Sequence, residues 1–215
     1  QNTLTLQAMD APAMSRTLPL AIFSWFGYRL PMRDRLAMIR AAGFKATSVW
    51  WGAEEDPAIW HDLPAMARDA GLEIDNAHVP FEDCNTLWSD SEPERIKLVN
   101  QHLQWLDDCA RIGIPRMVFH VSKGDGPELN RHGIASVIQI AQAAADRGVV
   151  AAVENTMRAE VCAKVLAEID MPSLGFCYDS SHENLKPGGS GHLLAQWGHR
   201  LAVTHLSDNE GLEDR

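Results

Sequence analysis

Seven short β-rich runs recur along this chain, with longer segments of helical period between them. They are Leu20 to Trp25, Ala46 to Trp51, Leu72 to Val79, Arg116 to Val121, Val149 to Glu154, Ser173 to Asp179, and Leu201 to Ser207. Most of each run is apolar, and polar or ionisable residues gather at its end. Strands apolar along most of their length need cover on both faces. Alternating parallel βα units provide that cover, whereas sandwiches and helical bundles do not produce this order. Between the runs, Ile96, Val99, Leu103, Leu106 and Ala110, and again Val161, Val165 and Ile169, recur at three- and four-residue steps. Those steps place an apolar stripe on each helix that can cover a sheet.

The joints between helix and strand repeat. Gly43, Gly71, Gly113 and Gly148 each follow a helical segment and precede a strand, where a left-handed cap is favoured. Repeated βα units form either a doubly wound sheet or a closed barrel. The phosphate-binding fingerprint of a nucleotide-binding sheet is missing after the first run, which leads instead into Ser24-Trp25-Phe26-Gly27. Gly188-Gly189-Ser190-Gly191 has neither GxGxxG spacing nor a Lys-Ser/Thr ending and reads as a loop. The expectation is an α/β (β/α)₈ TIM barrel with its eighth strand absent from this chain. Residues 1–17 form an N-terminal tail and residues 18–215 an incomplete barrel. Such barrels typically need about 250 residues, so a seventh helix and eighth strand are expected beyond Arg215.

Composition narrows the function classes. At 215 residues and 46% hydrophobic content the chain supports one substantial core, and no apolar run reaches the roughly 20 residues of a membrane span. Gln1 to Arg16 lacks the pattern of a secretory signal. A formal net charge of −10 without a basic cluster argues against nucleic acid as a partner. The cysteines Cys84, Cys109, Cys162 and Cys177 form no CxxC pair and read as buried small hydrophobes, which fits a reducing, cytoplasmic setting.

In a parallel barrel, side chains at the carboxyl ends of distant strands share one mouth. Here that rule selects His78, His120, Glu154, Asp179 with His182 just beyond, and His205 followed by Asp208. A lone histidine at a strand end is commonly structural. A carboxylate ending the run Val149-Val150-Ala151-Ala152-Val153 is different, because burying it is costly without a pairing charge or a metal. Asp179 has an N-cap as its structural alternative. Together, five successive strands deliver ionisable groups to one rim. Mixed imidazole and carboxylate donors suit Mn²⁺, Co²⁺, Zn²⁺ or Fe²⁺ better than Ca²⁺.

The strings His78-Val79-Pro80, Val153-Glu154-Asn155-Thr156, Cys177-Tyr178-Asp179-Ser180-Ser181-His182 and Thr204-His205-Leu206-Ser207-Asp208-Asn209 resemble the xylose-isomerase-like barrel superfamily, in particular its sugar phosphate isomerase/epimerase branch. The resemblance runs from about Leu18 to the end. It implies Glu154, Asp179 and His205 as ligands of a divalent metal, Mn²⁺ first and Zn²⁺ or Co²⁺ next. A fourth ligand, a glutamate on the eighth strand, would lie beyond Arg215. It also implies Glu154 as one member of an acid/base pair. The expected reaction moves a proton in a small sugar or related polyhydroxylated carbonyl compound through a metal-stabilised enediolate. His182, His120 and His78 are expected to bind substrate oxygens. Trp25, Phe26, Trp50 and Trp51, at or near the ends of the first two runs, are candidates for an apolar wall against the substrate, with plain core as their alternative; Trp25 and Trp51 are taken as substrate-binding residues. Lys123, in the loop after the fourth strand, could meet a phosphate, or be simply solvated.

Three other readings stay open. An endonuclease IV-type zinc phosphodiesterase of the same superfamily shares much of this ligand set, and Asp214-Arg215 resembles the start of its Asp-x-His motif. A cyclic polyol dehydratase would use the same proton abstraction, and a non-catalytic sugar-binding barrel would need none. Family barrels often pair through their helical faces, so a homo-oligomer is compatible by analogy.

Overall fold

A computed structural model describes residues 20–51, 59–185 and 191–211. The tail expected over residues 1–17, residues 188–190 of the glycine-rich loop, and the closing pair Asp214-Arg215 lie outside the described residues. Seven parallel strands form one sheet in sequence order: β1 (Ala21–Phe23), β2 (Ala46–Trp50), β3 (Glu73–His78), β4 (Arg116–His120), β5 (Val150–Glu154), β6 (Leu174–Asp179) and β7 (Leu201–His205). The helices α1 (Met32–Ala41), α2 (Ile59–Ala70), α3 (Glu92–Ile112), α4 (Arg131–Arg147) and α5 (Ala159–Glu168) each fill one crossover. Two short helices, α6 (Ser180–Asn184) and α7 (His192–Trp197), share the last one. No helix among the described residues is long and apolar enough to cross a membrane.

The sheet is strongly curled. Four strand spacings of about 4.8 Å would separate β3 from β7 by roughly 19 Å in a flat sheet, yet the rings of His78 and His205 stack with centroids 5.7 Å apart. Only a barrel-like curve brings those strand ends together. Among the described residues β1 and β7 do not pair with each other, and the fold is a TIM barrel lacking its eighth strand.

Curling splits the apolar residues into two layers. Val118, Ala152, Cys177 and Val203 form a small cluster inside the curve. Their strand neighbours Phe119, Val153 and Phe176 point outward into the main core with the helices. Gly175 belongs to the tight inner side, since a Cβ there would come within 2.6 Å of Ala202 and 2.9 Å of Val150.

Helix ends follow the sequence signals closely. Gly113 and Gly148 close α3 and α4 in the left-handed region, at φ 79° and 66°. Asn130 caps α4, its side-chain oxygen accepting from the N–H groups of His132 and Gly133. Helix α5 has no such glycine. Its end is closed instead by the Arg200 guanidinium, which donates to the carbonyls of Leu166, Ile169, Met171 and Leu174.

The stripe on α3 differs from the expected one. Val99 and Leu106 are buried, but Ile96 and Ala110 are exposed, and His102 and Cys109 take the remaining interior places. His102 is tolerated there because its Nδ1–H donates to the Leu98 carbonyl at 2.8 Å while its ring packs against Trp105 and Phe119. Burial pushes its pKa down to about 4, so the ring stays neutral.

Glu183 ties α6 to α7. Its carboxylate is buried and accepts from the backbone N–H groups of Gly191 at 2.6 Å and Leu193 at 2.8 Å. Burial alone would raise its pKa, but those N–H donors, with the Tyr178 hydroxyl, hold it below the ordinary glutamate value. A carboxyl whose folded pKa lies below its unfolded one stabilises the fold above the unfolded value, about 4.3. That contribution is lost as pH falls through the folded value. Glu183→Gln is therefore expected to cost about 1–3 kcal/mol at pH 7. In thermal unfolding this is a loss on the order of 2–12 °C that closes as the pH is taken below about 4. A pH-independent difference would remove the charge from the account.

Candidate metal centre

The parity of the inner layer decides which side chains reach the mouth. One alternation beyond Val118, Ala152, Cys177 and Val203 stand His120, Glu154, Asp179 and His205, each the last residue of its strand. The register aligns them in pairs, His120 beside Glu154 and Asp179 beside His205. His78 ends β3, and His182 enters from α6.

Glu154 is the hub, with 2% of its surface exposed. Its Oε2 lies 3.1 Å from His78 Nε2, 3.3 Å from His120 Nε2 and 3.3 Å from His205 Nδ1, while Oε1 lies 3.4 Å from His182 Nδ1. Asp179 divides its oxygens. Oδ1 caps α6 by accepting the His182 N–H at 2.9 Å, and Oδ2 lies 3.8 Å from His205 Nδ1. The cap therefore leaves Asp179 a second oxygen on the cluster.

Tautomers can be assigned from the acceptors. The Val79 carbonyl, 2.9 Å from His78 Nδ1, can only accept, so Nδ1 carries hydrogen. In the neutral ring Nε2 then presents a lone pair to a carboxylate oxygen 3.1 Å away, an arrangement that needs a positive charge on or between the partners. His120 repeats the problem: its Nε2 is buried, 3.3 Å from Glu154, and lacks hydrogen-bond alignment with any partner among the described residues. These two nitrogens fit a cation.

Electrostatics agree with that geometry. Burial works to raise the Glu154 pKa, but His205 and His120 outweigh it and hold the carboxyl well below its ordinary value. Burial, set against Glu154, leaves His120 shifted down. For His205 burial is again the largest influence, but Glu154 and Asp179 together reverse it and shift the ring up. Asp179 is shifted up by burial, with Glu154 adding to it.

Three groups of potential ligand atoms each fall within 4.8 Å: His78 with His120 and Glu154, Glu154 with Asp179 and His182, and Glu154 with Cys177 and His205. The expected trio of Glu154, Asp179 and His205 is split between the last two, and Glu154 belongs to all three. Burial, with Glu154 and Asp179, pushes the Cys177 thiol well up, so it remains protonated and fills space as a small hydrophobe.

A model of the xylose isomerase-like TIM barrel family matches residues 36–215. The chain belongs to this family. Among curated proteins, a Sinorhizobium fredii protein designated uncharacterized protein y4fM is 26% identical over 226 residues, spanning 85% of this chain and 70% of that one. Solved structures resemble this xylose isomerase-like barrel in fold. A D-tagatose 3-epimerase-like protein aligns with TM-score 0.72 at 19% identity, over 91% of this chain and 78% of its own. The D-psicose 3-epimerase of Clostridium cellulolyticum H10, solved with D-tagatose, has TM-score 0.72 at 14% identity, over 87% and 72%. The 3-keto-D-glucoside 4-epimerase of E. coli has TM-score 0.68 at 16% identity, over 88% and 78%.

Within this family barrel, the candidate tryptophans part company with the imidazoles. Trp51 is buried in the outer core against Trp60. Its neighbour Trp50 has the inward parity and packs beside His78, with ring centroids 5.3 Å apart. Trp25 is half-buried under the Arg35 guanidinium, and none of the described ring contacts joins it to the imidazoles. Two residues escaped the sequence reading. Phe81 stacks on His120 with centroids 4.4 Å apart and meets Trp50 edge-on. Asn155 clasps the backbone of Asp179, donating to its carbonyl at 2.9 Å and accepting its N–H at 2.8 Å. The Asn155 carbonyl also accepts from His182 Nδ1 at 2.8 Å. The Glu-Asn pair was visible in sequence, but its clasp across to β6 was not.

The two adjacent tryptophans are expected to separate cleanly. Trp51→Ala should cost about 3–5 kcal/mol in denaturant unfolding. Trp50→Ala should leave stability within about 1–2 kcal/mol while weakening ligand binding at the mouth. The reverse ranking would place Trp50 in the core.

Proposed function

We propose that the protein is a divalent-metal-dependent isomerase or epimerase of a small sugar or related polyhydroxylated carbonyl compound. The observation that carries this reading is the buried Glu154 carboxylate with His205 Nδ1 3.3 Å from it and 3.8 Å from Asp179, in a family barrel whose structural neighbours include sugar epimerases. Glu154, Asp179 and His205 would hold the cation, with Mn²⁺ first and Zn²⁺ or Co²⁺ as alternatives. A bound divalent cation supplies Lewis acidity, which lowers the cost of negative charge on a substrate carbonyl oxygen.

The protein's own groups would do the rest. Glu154, ionised through the neutral range, accepts the proton from the carbon beside the carbonyl and serves as ligand as well. His182, fixed by the Asn155 carbonyl, turns its second nitrogen toward a substrate hydroxyl. His120 is kept neutral and can accept a hydrogen bond from another. Trp50 and Phe81 exclude water on the β2–β3 side. Loss of a β-hydroxyl after the same proton removal would make the enzyme a cyclic polyol dehydratase, and a barrel that binds sugar without exchanging its protons would be a non-catalytic module.

A second reading has its own observation. Three ligand groups share Glu154, which suits more than one cation and hence a zinc phosphodiesterase of the endonuclease IV type.

Elemental analysis of the purified protein is expected to give about one Mn, Zn or Co per chain, with Glu154→Gln lowering metal affinity at least about tenfold. The same variant should abolish solvent-deuterium exchange into a bound ketose. Undiminished exchange removes Glu154 from the chemistry, and about three zinc ions per chain turn the assignment to the phosphodiesterase. Chelation should lower thermal stability by about 3 kcal/mol relative to protein held at a hundredfold excess of metal over its dissociation constant, and readdition should restore it.

A further inference from the structure

A side chain carries the ladder between β5 and β6 past its last main-chain bond. Hydrogen bonds in a parallel pair are evenly spaced, and the Asn155 N–H keeps that spacing by donating to the Cys177 carbonyl at 3.3 Å. The next rung would run from the Asp179 N–H to the Asn155 main-chain carbonyl. The Asn155 side chain takes that rung instead. Its Oδ1 accepts the Asp179 N–H at 2.8 Å, and its Nδ2 donates to the Asp179 carbonyl at 2.9 Å. A primary amide has both the donor and the acceptor of a peptide group, so it can stand in for main chain here.

This exchange leaves the Asn155 main-chain carbonyl to another donor, and it accepts from His182 Nδ1 at 2.8 Å. A carbonyl only accepts, so Nδ1 carries the ring hydrogen and the neutral ring has an unprotonated Nε2. Asp179, meanwhile, is held through both of its main-chain groups. With its Oδ1 committed to the His182 N–H at 2.9 Å, the direction of its Oδ2, 3.8 Å from His205 Nδ1, is fixed as well. Asn155 is fully buried and its amide is spent on Asp179, so it acts on the cluster only through these neighbours.

We propose that Asn155 is a positioning residue. Its side-chain amide replaces main chain in the ladder and thereby sets the tautomer of His182 and the placement of Asp179 before a cation binds. The proposal rests on the metal-dependent reading above and assigns that site the residue that presets it. Buried partners that orient ligand groups in this way are typically worth about 10–100-fold in metal affinity.

Asn155→Ala tests it, because without the amide the main-chain carbonyl can return to the Asp179 N–H, which keeps the sheet and releases His182. Nitrogen-15 NMR of the metal-free protein should find the His182 hydrogen on Nδ1 in the wild type and spread over both nitrogens in Asn155→Ala. Titration with Co²⁺, followed by its visible absorption, reads affinity and ligand geometry together. The variant is expected to bind about 10–100-fold more weakly, with altered absorption bands. Leu106→Ala, which opens the outer core away from the cluster, should keep the wild-type tautomer and bands and an affinity within about twofold. Wild-type tautomer and affinity in Asn155→Ala, or an equal loss in Leu106→Ala, overturns the assignment. In either case, Co²⁺ binding by the wild type that Glu154→Gln weakens leaves the metal reading standing. Hydrogen on His182 Nε2 in the wild type overturns the assignment without any variant. Failure of the wild type to bind Co²⁺, Mn²⁺ or Zn²⁺ overturns both.

Discussion

A carboxylate with 2% of its surface in contact with solvent imposes the terms on which this barrel can form. Removing an isolated ion of that size from water costs several kcal/mol even after relaxation, so Glu154 must be compensated where it stands. Its compensation comes from β3, β4, β7 and α6, through imidazoles at 3.1–3.4 Å. None of these is near it in sequence. The site and the curl of the sheet are therefore one constraint: a flatter sheet would withdraw His78 and His205 and leave the charge unpaired. The small inner layer of Val118, Ala152, Cys177 and Val203, with Gly175 beside Ala202, lets the strands close that far.

This dependence explains how much of the fold could be read from residues alone. Strand runs ending in His78, His120, Glu154, Asp179 and His205 carry the signal because the barrel topology sends every strand end to one place. The repeated helix-Gly-strand joint is equally local, and Gly113 and Gly148 have the expected backbone. What fails is anything set by a single step of parity. Trp50 and Trp51 were both candidates for the wall, but successive side chains point to opposite faces, so Trp50 lies beside His78 and Trp51 falls in the outer core. The α3 stripe fails similarly, since a histidine satisfied by its own helix carbonyl counts as apolar once buried.

Contacts made by loops were less legible still. Phe81 follows the end of β3 and has no periodicity to announce it, yet it covers His120 and meets Trp50. Asn155 lay within a quoted motif, but its clasp on Asp179 depends on the pairing of β5 with β6. For Asp179, cap and site role were set against each other as alternatives. A carboxylate has two oxygens: Asp179 uses one for the cap and keeps the other 3.8 Å from His205.

The electrostatic asymmetry of the cluster bears on what occupies it. His205 touches both carboxylates and is the ring shifted up, while His120, set among His78 and His182 and shut from solvent, is shifted down. A proton can therefore neutralise Glu154 from the β7 side, but it does nothing for the buried Nε2 of His120. A buried imidazole nitrogen with no hydrogen-bond partner among the described residues, 3.3 Å from a carboxylate oxygen, suits a divalent cation. Protonation satisfies half of this mouth, whereas a metal ion can satisfy both halves because all three ligand groups pass through Glu154.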